Sequence, residues 1–131
     1  MVKEVSVSTS KQVHFVNITD EVKKVVKESG VKEGHCHVYV PHTTAGVTIN
    51  EGADPHVVSD IIMVMNRTVP FVDNDYLHRE GNSAAHIKAS LMGSSASVFV
   101  QDGKLLLGTW QAIFFCEFDG PRSRRLLVQV S

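Results

Sequence analysis

The segment SVFVQDGKLLLG, residues 97–108, shows most directly how this chain folds. Its two apolar runs flank the pair Asp102-Gly103, a dipeptide that favours the tight two-residue turn of a β-hairpin. Two more strand-like segments follow, TWQAIFFCEF and RRLLVQVS, joined by the turn DGPRS. The C-terminal third of the chain is therefore predicted to be rich in strands, with Trp110 expected in the core.

The N-terminal two thirds adds helices to further strands. The first helix is predicted to begin with Thr19 as its N-cap and to end at Gly30. The pair Asp54-Pro55 predicts a second helix start, an N-cap followed by proline. A third helix is expected from residue 82 or 83, and Gly93 ends it. Alternating apolar residues predict strands at residues 2–7, 12–17, 34–40 and 47–49. The resulting order, β-β-α-β-β-α-α-β-β-β-β, is typical of the α+β class.

Length and composition indicate one ordinary globular domain. The chain has 131 residues, 43% of them hydrophobic, so a single domain over residues 1–131 is expected. A net charge of −1 gives no footprint for general nucleic-acid binding. The longest aliphatic run is far shorter than the ~20 residues that span a bilayer. Two cysteines without a CxxC spacing favour a reducing, cytoplasmic setting.

Three histidines lie where predicted elements begin or end. His42 follows a strand, His78 lies in the long loop DYLHREG, and His86 lies on the first turns of the third helix. Three imidazoles with an open position would form a catalytic metal site, but the spacing alone favours three separate histidines bonded to nearby backbone. His35 and His37, on one face of a strand, are a second possible metal pair or simply a solvated face.

Three carboxylates are candidate acid–base groups. Glu51 is either such a group or a turn residue, and Asp54 is also explained as a helix N-cap. Glu117 lies in the apolar strand FFCEF, where it is either at a wet strand end or buried with a partner. Cys116, in the same strand, is either a nucleophile or a small apolar residue.

Basic and hydroxyl groups suggest a site for an anion. Guanidinium groups suit phosphate through their bidentate geometry, and several arginines follow the turn DGP. A solvated turn with charge pairing to Asp119 explains the same arginines. Gln111 is a further possible ligand contact. The candidate residues of this pattern, with Gln111, are Arg122, Arg124, Arg125, Thr43, Thr44, Ser90, Ser94 and Ser95.

Three blocks of the sequence together resemble one known family. HTTAGVTINE, YLHREGN with AAHIKASLMGSS, and LGTWQAIFFCEFDGPR look like the YjbQ family, also called UPF0047 or secondary thiamine-phosphate synthase. The resemblance covers essentially the whole chain. It implies a single α+β domain with a mixed, largely antiparallel, sandwich-like sheet and about three helices. It also implies a homotrimer.

The resemblance implies a site as well. His42, His78 and His86 match histidines of the family pattern, which favours them as ligands of a divalent metal, with zinc expected. Cys116 and His35 have no fixed counterpart, which weakens both. Asn50 and Glu51 are expected to return to the pocket of His42. The implied catalytic residues are Glu51, Asp54 and Glu117, and the implied substrate contacts are Thr43, Thr44, Asn50, Ser90, Gln111, Arg122 and Arg124.

Two functions are carried forward from the resemblance. The first is a metal-dependent enzyme acting on a phosphorylated small molecule, with thiamine-phosphate synthase activity that is secondary. The second is a trimeric protein that binds a metal or a phosphorylated metabolite without turnover. Neither reading involves a nucleic acid or a membrane.

Overall fold

A computed structural model describes residues 1–131 and contains eleven elements in the predicted order. Three are helices, at Thr19–Ser29 (α1), Pro55–Thr68 (α2) and Ser83–Met92 (α3). The strands are Val2–Ser8 (β1), His14–Asn17 (β2), Gly34–Tyr39 (β3), Ala45–Glu51 (β4), Ser95–Gln101 (β5), Lys104–Leu105 (β6), Gln111–Glu117 (β7) and Ser123–Val130 (β8).

The strands form two antiparallel sheets. The larger has the order β1-β8-β3-β5-β6, and the smaller has the order β2-β7-β4. The Asp102-Gly103 turn joins β5 to β6, with both residues at positive φ, as the hairpin signal predicts. The predicted α+β, sandwich-like, largely antiparallel fold is confirmed, and every strand pairing is antiparallel.

Strand β7 explains how the layers stack, because it is buried on both faces. Ile113 and Phe115 point into the main core between the two sheets and α1. Phe114 and Cys116 point the other way, into a smaller cluster against α2 and α3. A strand covered on both faces is apolar throughout rather than alternating, as in QAIFFCEF. Trp110, just before this strand, is 65% exposed, so its predicted core position is wrong.

Of three helix ends predicted from neighbouring residues, two agree with the structure and one does not. Asp54 caps α2, its carboxylate accepting the backbone N–H of His56 at 2.9 Å, as predicted. Gly30 ends α1 in the left-handed conformation, also as predicted. The predicted Thr19 cap is wrong. The Thr19 hydroxyl instead accepts the backbone N–H of Ile113 from β7, a tertiary contact that local sequence does not reveal. No helix of the chain is long and apolar enough to cross a membrane.

Candidate functional site

His42 lies just past β3 and is fixed against the neighbouring strand β8. Its Nε2 is 3.1 Å from both the backbone N–H and the carbonyl oxygen of Arg125. Its ring meets Phe115 edge-on, with centroids 6.3 Å apart. Burial and the positive charge of Arg124 lower the pKa of His42. The imidazole is therefore neutral at pH 7, the form that can bind a metal.

His86 lies on α3 beside His78, which the preceding loop carries. The two rings meet edge to face, with centroids 5.2 Å apart and planes at 88°. His78 also lies 3.9 Å from the carboxylate of Glu80, with both side chains largely exposed. The loop before α3 thus folds back on the first turns of the helix and brings two of the three predicted imidazoles together at the surface.

A cleft of about 510 Å³ joins His86 to His42. Helix α3 forms one wall, and the segment between β3 and β4 forms the other. Three hydroxyl residues line it together with the two histidines: Thr43, Ser90 and Ser94. The Ser90 hydroxyl donates to the carbonyl of His86 at 2.9 Å. The predicted residues His42, His86, Thr43 and Ser90 therefore share one surface.

Two glycines allow the walls of this cleft to approach each other. The backbone N–H of Val47 on β4 donates to the carbonyl of Gly93, at the end of α3, at 3.1 Å. A Cβ at Gly46 would lie only 2.5 Å from that same carbonyl oxygen. Gly93 itself has φ +97°, a backbone conformation that L side chains rarely adopt. Small residues at both positions therefore keep His42 and His86 on one cleft.

The histidines fit a metal only in part. Two imidazoles on one tetrahedral zinc have ring centres about 5 Å apart, because each Zn–N bond is about 2 Å. The spacing of His78 and His86 matches that pair. However, no three His, Cys, Asp or Glu side chains of the chain are grouped so that they could hold a metal ion. His42 shares the cleft with His86 but does not complete a three-ligand site within one chain.

Glu117 is fully buried at the end of β7, and its carboxylate is saturated with donors. The Thr9 hydroxyl donates to it at 2.8 Å, Arg124 Nε at 2.8 Å and the backbone N–H of Asp119 at 3.1 Å. Burial alone would raise the pKa of Glu117, but these hydrogen bonds and the Arg124 charge outweigh it, so the pKa is lowered. Glu117 has no open position for a substrate in this arrangement.

Arg124 is committed to the same network. Its guanidinium side chain is only 7% exposed, and it donates to Glu117 and, at 2.7 Å, to the Thr44 hydroxyl. Arg124 and Thr44 were predicted as phosphate contacts, but their side chains are hydrogen-bonded to each other, and Arg124 is also bonded to Glu117. Arg122 is half exposed and pairs with Asp119 at 3.0 Å, the charge pairing that the sequence left open. Its guanidinium remains accessible to an anion.

Asn50, Glu51, Asp54 and Gln111 lie at the opposite end of the small sheet. The register pairs Ala45 with Glu117 at one end of β4 and Glu51 with Gln111 at the other. The seven residues of β4 extend roughly 20 Å, at about 3.3 Å per residue. The expected return of Asn50 and Glu51 to the pocket of His42 is therefore wrong within one chain. The cause is that β4 is one continuous strand, longer than the predicted residues 47–49.

Lys88 is a buried charged residue near the histidines, and its position was not predicted from the sequence. Its side chain is fully buried, and Nζ donates to the Asn66 side chain at 2.5 Å and lies 5.5 Å from the centre of the Phe71 ring. Burial lowers its pKa. It links α3, two residues beyond His86, to α2 and to the loop that carries His78. Its position on the apolar face, with Ala84 and Ala85 four and three residues earlier, is the signal that could have found it.

The fold and the cleft define a small two-sheet α+β protein with imidazoles and hydroxyls on a surface site. Residues 3–131 match the sequence model of the family described as "UPF0047 protein YjbQ-like", and the chain belongs to that family. It is 50% identical over 130 residues to a UPF0047 protein of Methanocaldococcus jannaschii, covering 99% of this chain and 94% of the other. It is 45% identical to UPF0047 protein YugU of Bacillus subtilis, covering 99% and 98%.

Solved structures agree with this placement. A crystal structure of a YjbQ/UPF0047 family protein from Clostridium acetobutylicum matches with a TM-score of 0.96 and 55% identity, covering 98% of this chain and 99% of that one. A structure from Sulfolobus solfataricus, described as a YbjQ-like protein of unknown function, matches with a TM-score of 0.94 and 34% identity, covering 99% and 95%. The resemblance drawn from the three sequence blocks is confirmed.

Proposed function

We propose that the cleft of His42 and His86 is the active site of a metal-dependent enzyme that acts on a phosphorylated small molecule. The observation that carries this proposal is the central place of His86. It shares a cleft with His42, which lies 44 residues earlier in the chain, and its ring packs against that of His78. A group of histidines on an open cleft, with one of them held neutral, suits metal binding.

Each side chain of the cleft has a separate proposed role. His78 and His86 would hold the metal, a divalent ion with zinc expected, and His42 would face the substrate. When bound, such a metal polarises phosphoryl oxygens and offsets their charge. Thr43 and Ser94 would donate hydroxyl hydrogen bonds to the phosphate, and the half-exposed Arg122 would supply charge. Glu117 and Arg124 would position the Thr44 segment rather than touch the substrate.

The reaction class follows from the family resemblance. The proposed activity joins a pyrimidine diphosphate to a thiazole phosphate and releases pyrophosphate, giving thiamine phosphate, and it is secondary to another phosphate reaction. Glu51 and Asp54 remain the proposed proton-handling groups. Because β4 holds them roughly 20 Å from His42, they would serve that cleft only from a second copy of the chain.

A homotrimer and a cytoplasmic setting complete the proposal. Large apolar side chains are exposed on several surfaces, among them Phe99 at 63% and Trp110 at 65%, and contact between copies would cover some of them. Both cysteines are free and buried, which suits a reducing compartment. The second candidate, a trimeric protein that binds a metal or phosphometabolite without turnover, uses the same cleft and differs only in the absence of chemistry.

Zinc content and turnover of one matched pair of variants test the proposal. His86→Ala removes the central imidazole, whereas His56→Ala removes a histidine whose side chain is 88% exposed at the start of α2. We expect His86→Ala to lose both bound zinc and thiamine phosphate formation and His56→Ala to keep both. Turnover by metal-free His86→Ala would show that the metal role is wrong. Zinc and phosphate-ester binding without product from any tested phosphate compound would favour the binding protein.

A further inference from the structure

A second cleft, of about 620 Å³, lies between helix α1 and the β5–β6 hairpin. Four lysines line it, and the one acidic residue in its lining is Asp102. Val26 and Leu105 form its apolar part. The four lysines are Lys23, Lys27, Lys32 and Lys104.

The fold brings these lysines together from three separate segments. Lys23 and Lys27 are one helical turn apart on α1, so they project from the same face. Lys32 lies beside the hairpin turn, where its carbonyl accepts the backbone N–H of Gly103 at 3.0 Å. A Cβ at Gly103 would lie 3.3 Å from Lys32 Nζ, and Gly103 has φ +76°. Glycine at this turn therefore leaves room for the Lys32 ammonium group.

The lysine cleft carries uncompensated positive charge. All five ion pairs of the chain involve histidine or arginine, so none of the four lysines has a carboxylate within 4.0 Å. Four lysines face Asp102, and the Glu33 carboxylate accepts the backbone N–H of Asp102 at 3.1 Å beside them, which leaves two excess positive charges at one concave surface. Clefts lined by one sign of charge concentrate ions of the opposite sign. This arrangement favours a ligand with several negative charges close together.

The lysine cleft is separate from the histidine cleft. Lys32 precedes β3 and His42 follows it, so the strand's six residues hold the two sites roughly 17 Å apart. The hairpin of Lys104 likewise follows β5, whereas Ser94 of the histidine cleft precedes it. A ligand in one cleft therefore does not use the residues of the other.

We propose that the lysine cleft binds a compact polyphosphate, such as the di- or triphosphate group of a small molecule. A net excess of two positive charges suits a di- or triphosphate better than a single phosphate. Leu105, which is partly buried, and the aliphatic lysine stems can pack against an attached apolar group. The chain as a whole has a net charge of −1, which gives no general attraction to a nucleic-acid backbone. The site does not depend on the proposed enzymatic function.

Calorimetric titration with inorganic pyrophosphate and triphosphate tests this site on metal-free full-length protein. Lys27→Gln and Lys104→Gln each keep an unbranched polar side chain of similar size and remove one charge. We expect each to weaken triphosphate binding by about tenfold, the usual loss for one charge-assisted hydrogen bond. Lys24→Gln is the matched control, because Lys24 is on the same helix but outside the cleft. Lys24→Gln should bind triphosphate within about twofold of the wild type.

Several results would overturn the proposal. Absence of wild-type binding up to millimolar triphosphate would do so, as would unchanged affinity in the Lys27→Gln/Lys104→Gln double variant. An equal loss in Lys24→Gln would show a diffuse charge effect instead of a site. A loss in His86→Ala alone would place the anion in the histidine cleft. Tighter binding of a short single-stranded oligonucleotide, displaced by triphosphate, would make this a nucleic-acid surface.

Discussion

Replacing Glu117 by glutamine should destabilise the protein strongly, because it breaks a buried ion pair while keeping the shape of the side chain. Glu117 is fully buried, and the Arg124 side chain is only 7% exposed. Glutamine has a single oxygen, so it can accept from Thr9 or from the backbone N–H of Asp119 but not from both, and it leaves the guanidinium charge unbalanced in the interior. Removing one partner of a buried pair costs about 3–5 kcal/mol. For a domain of this size, a loss of about 3 kcal/mol lowers Tm by roughly 10 °C.

Urea unfolding at fixed protein concentration measures this loss. The control is Glu4→Gln, which removes an exposed pair with Arg125 at 3.8 Å and should cost less than about 1 kcal/mol. Replacing Glu117 and Arg124 together by Leu and Met should recover much of the lost stability, because two apolar residues leave no buried charge. A cost below about 1 kcal/mol for Glu117→Gln would refute the view that this pair holds the β7–β8 end of the fold.

The pH dependence of the unfolding free energy tests whether the pKa of Glu117 is lowered in the folded protein. The pKa of Glu117 is lowered in the folded protein, so its stabilisation is present above the unfolded value of about 4.3. That contribution is lost as pH falls through the folded pKa. The difference in unfolding free energy between wild type and Glu117→Gln should therefore be constant above about pH 5 and shrink in more acidic solution.

Three further predictions concern single sites. Asp54→Ala should cost about 1 kcal/mol in thermal unfolding through loss of the α2 cap, and Asp54→Asn should cost much less. Gly46→Ala should cost about 1–3 kcal/mol in urea unfolding, because its Cβ would lie 2.5 Å from the Gly93 carbonyl oxygen; an unchanged midpoint would contradict that contact. Burial raises the pKa of the Cys36 thiol to about 11, so it should react with a thiol reagent at pH 8 only after unfolding.

Much of the fold could be predicted because its signals are local. The Asp102-Gly103 turn, the Asp54 cap and the terminal glycines of α1 and α3 each depend on a few adjacent residues. Thr19 shows the limit of such signals. Threonine before an acidic turn favours a cap, but its hydroxyl instead bonds Ile113 of β7, which lies 94 residues away.

Most residues of the cleft could be identified from the sequence, but their positions relative to one another could not. His42, His86, Thr43 and Ser90 do share a cleft, and His78 adjoins it. The two ends of HTTAGVTINE were expected to lie close together because the strand between them was predicted to be short. In the structure, β4 is a continuous seven-residue strand that holds the two ends apart. The lysine cleft could not be predicted from the sequence, because Lys27 and Lys104 come to line one cleft only when α1 packs beside the hairpin.

The proposed function requires that His78 and His86 hold a metal at the cleft shared with His42. An anomalous-scattering map at the zinc edge, from crystals of protein purified without added chelator, is the decisive measurement. We expect one strong peak per chain about 2 Å from a ring nitrogen of both His78 and His86, and its loss in His86→Ala. Zinc-loaded protein with no peak at these imidazoles, or with its only peak at other residues, would contradict the claim.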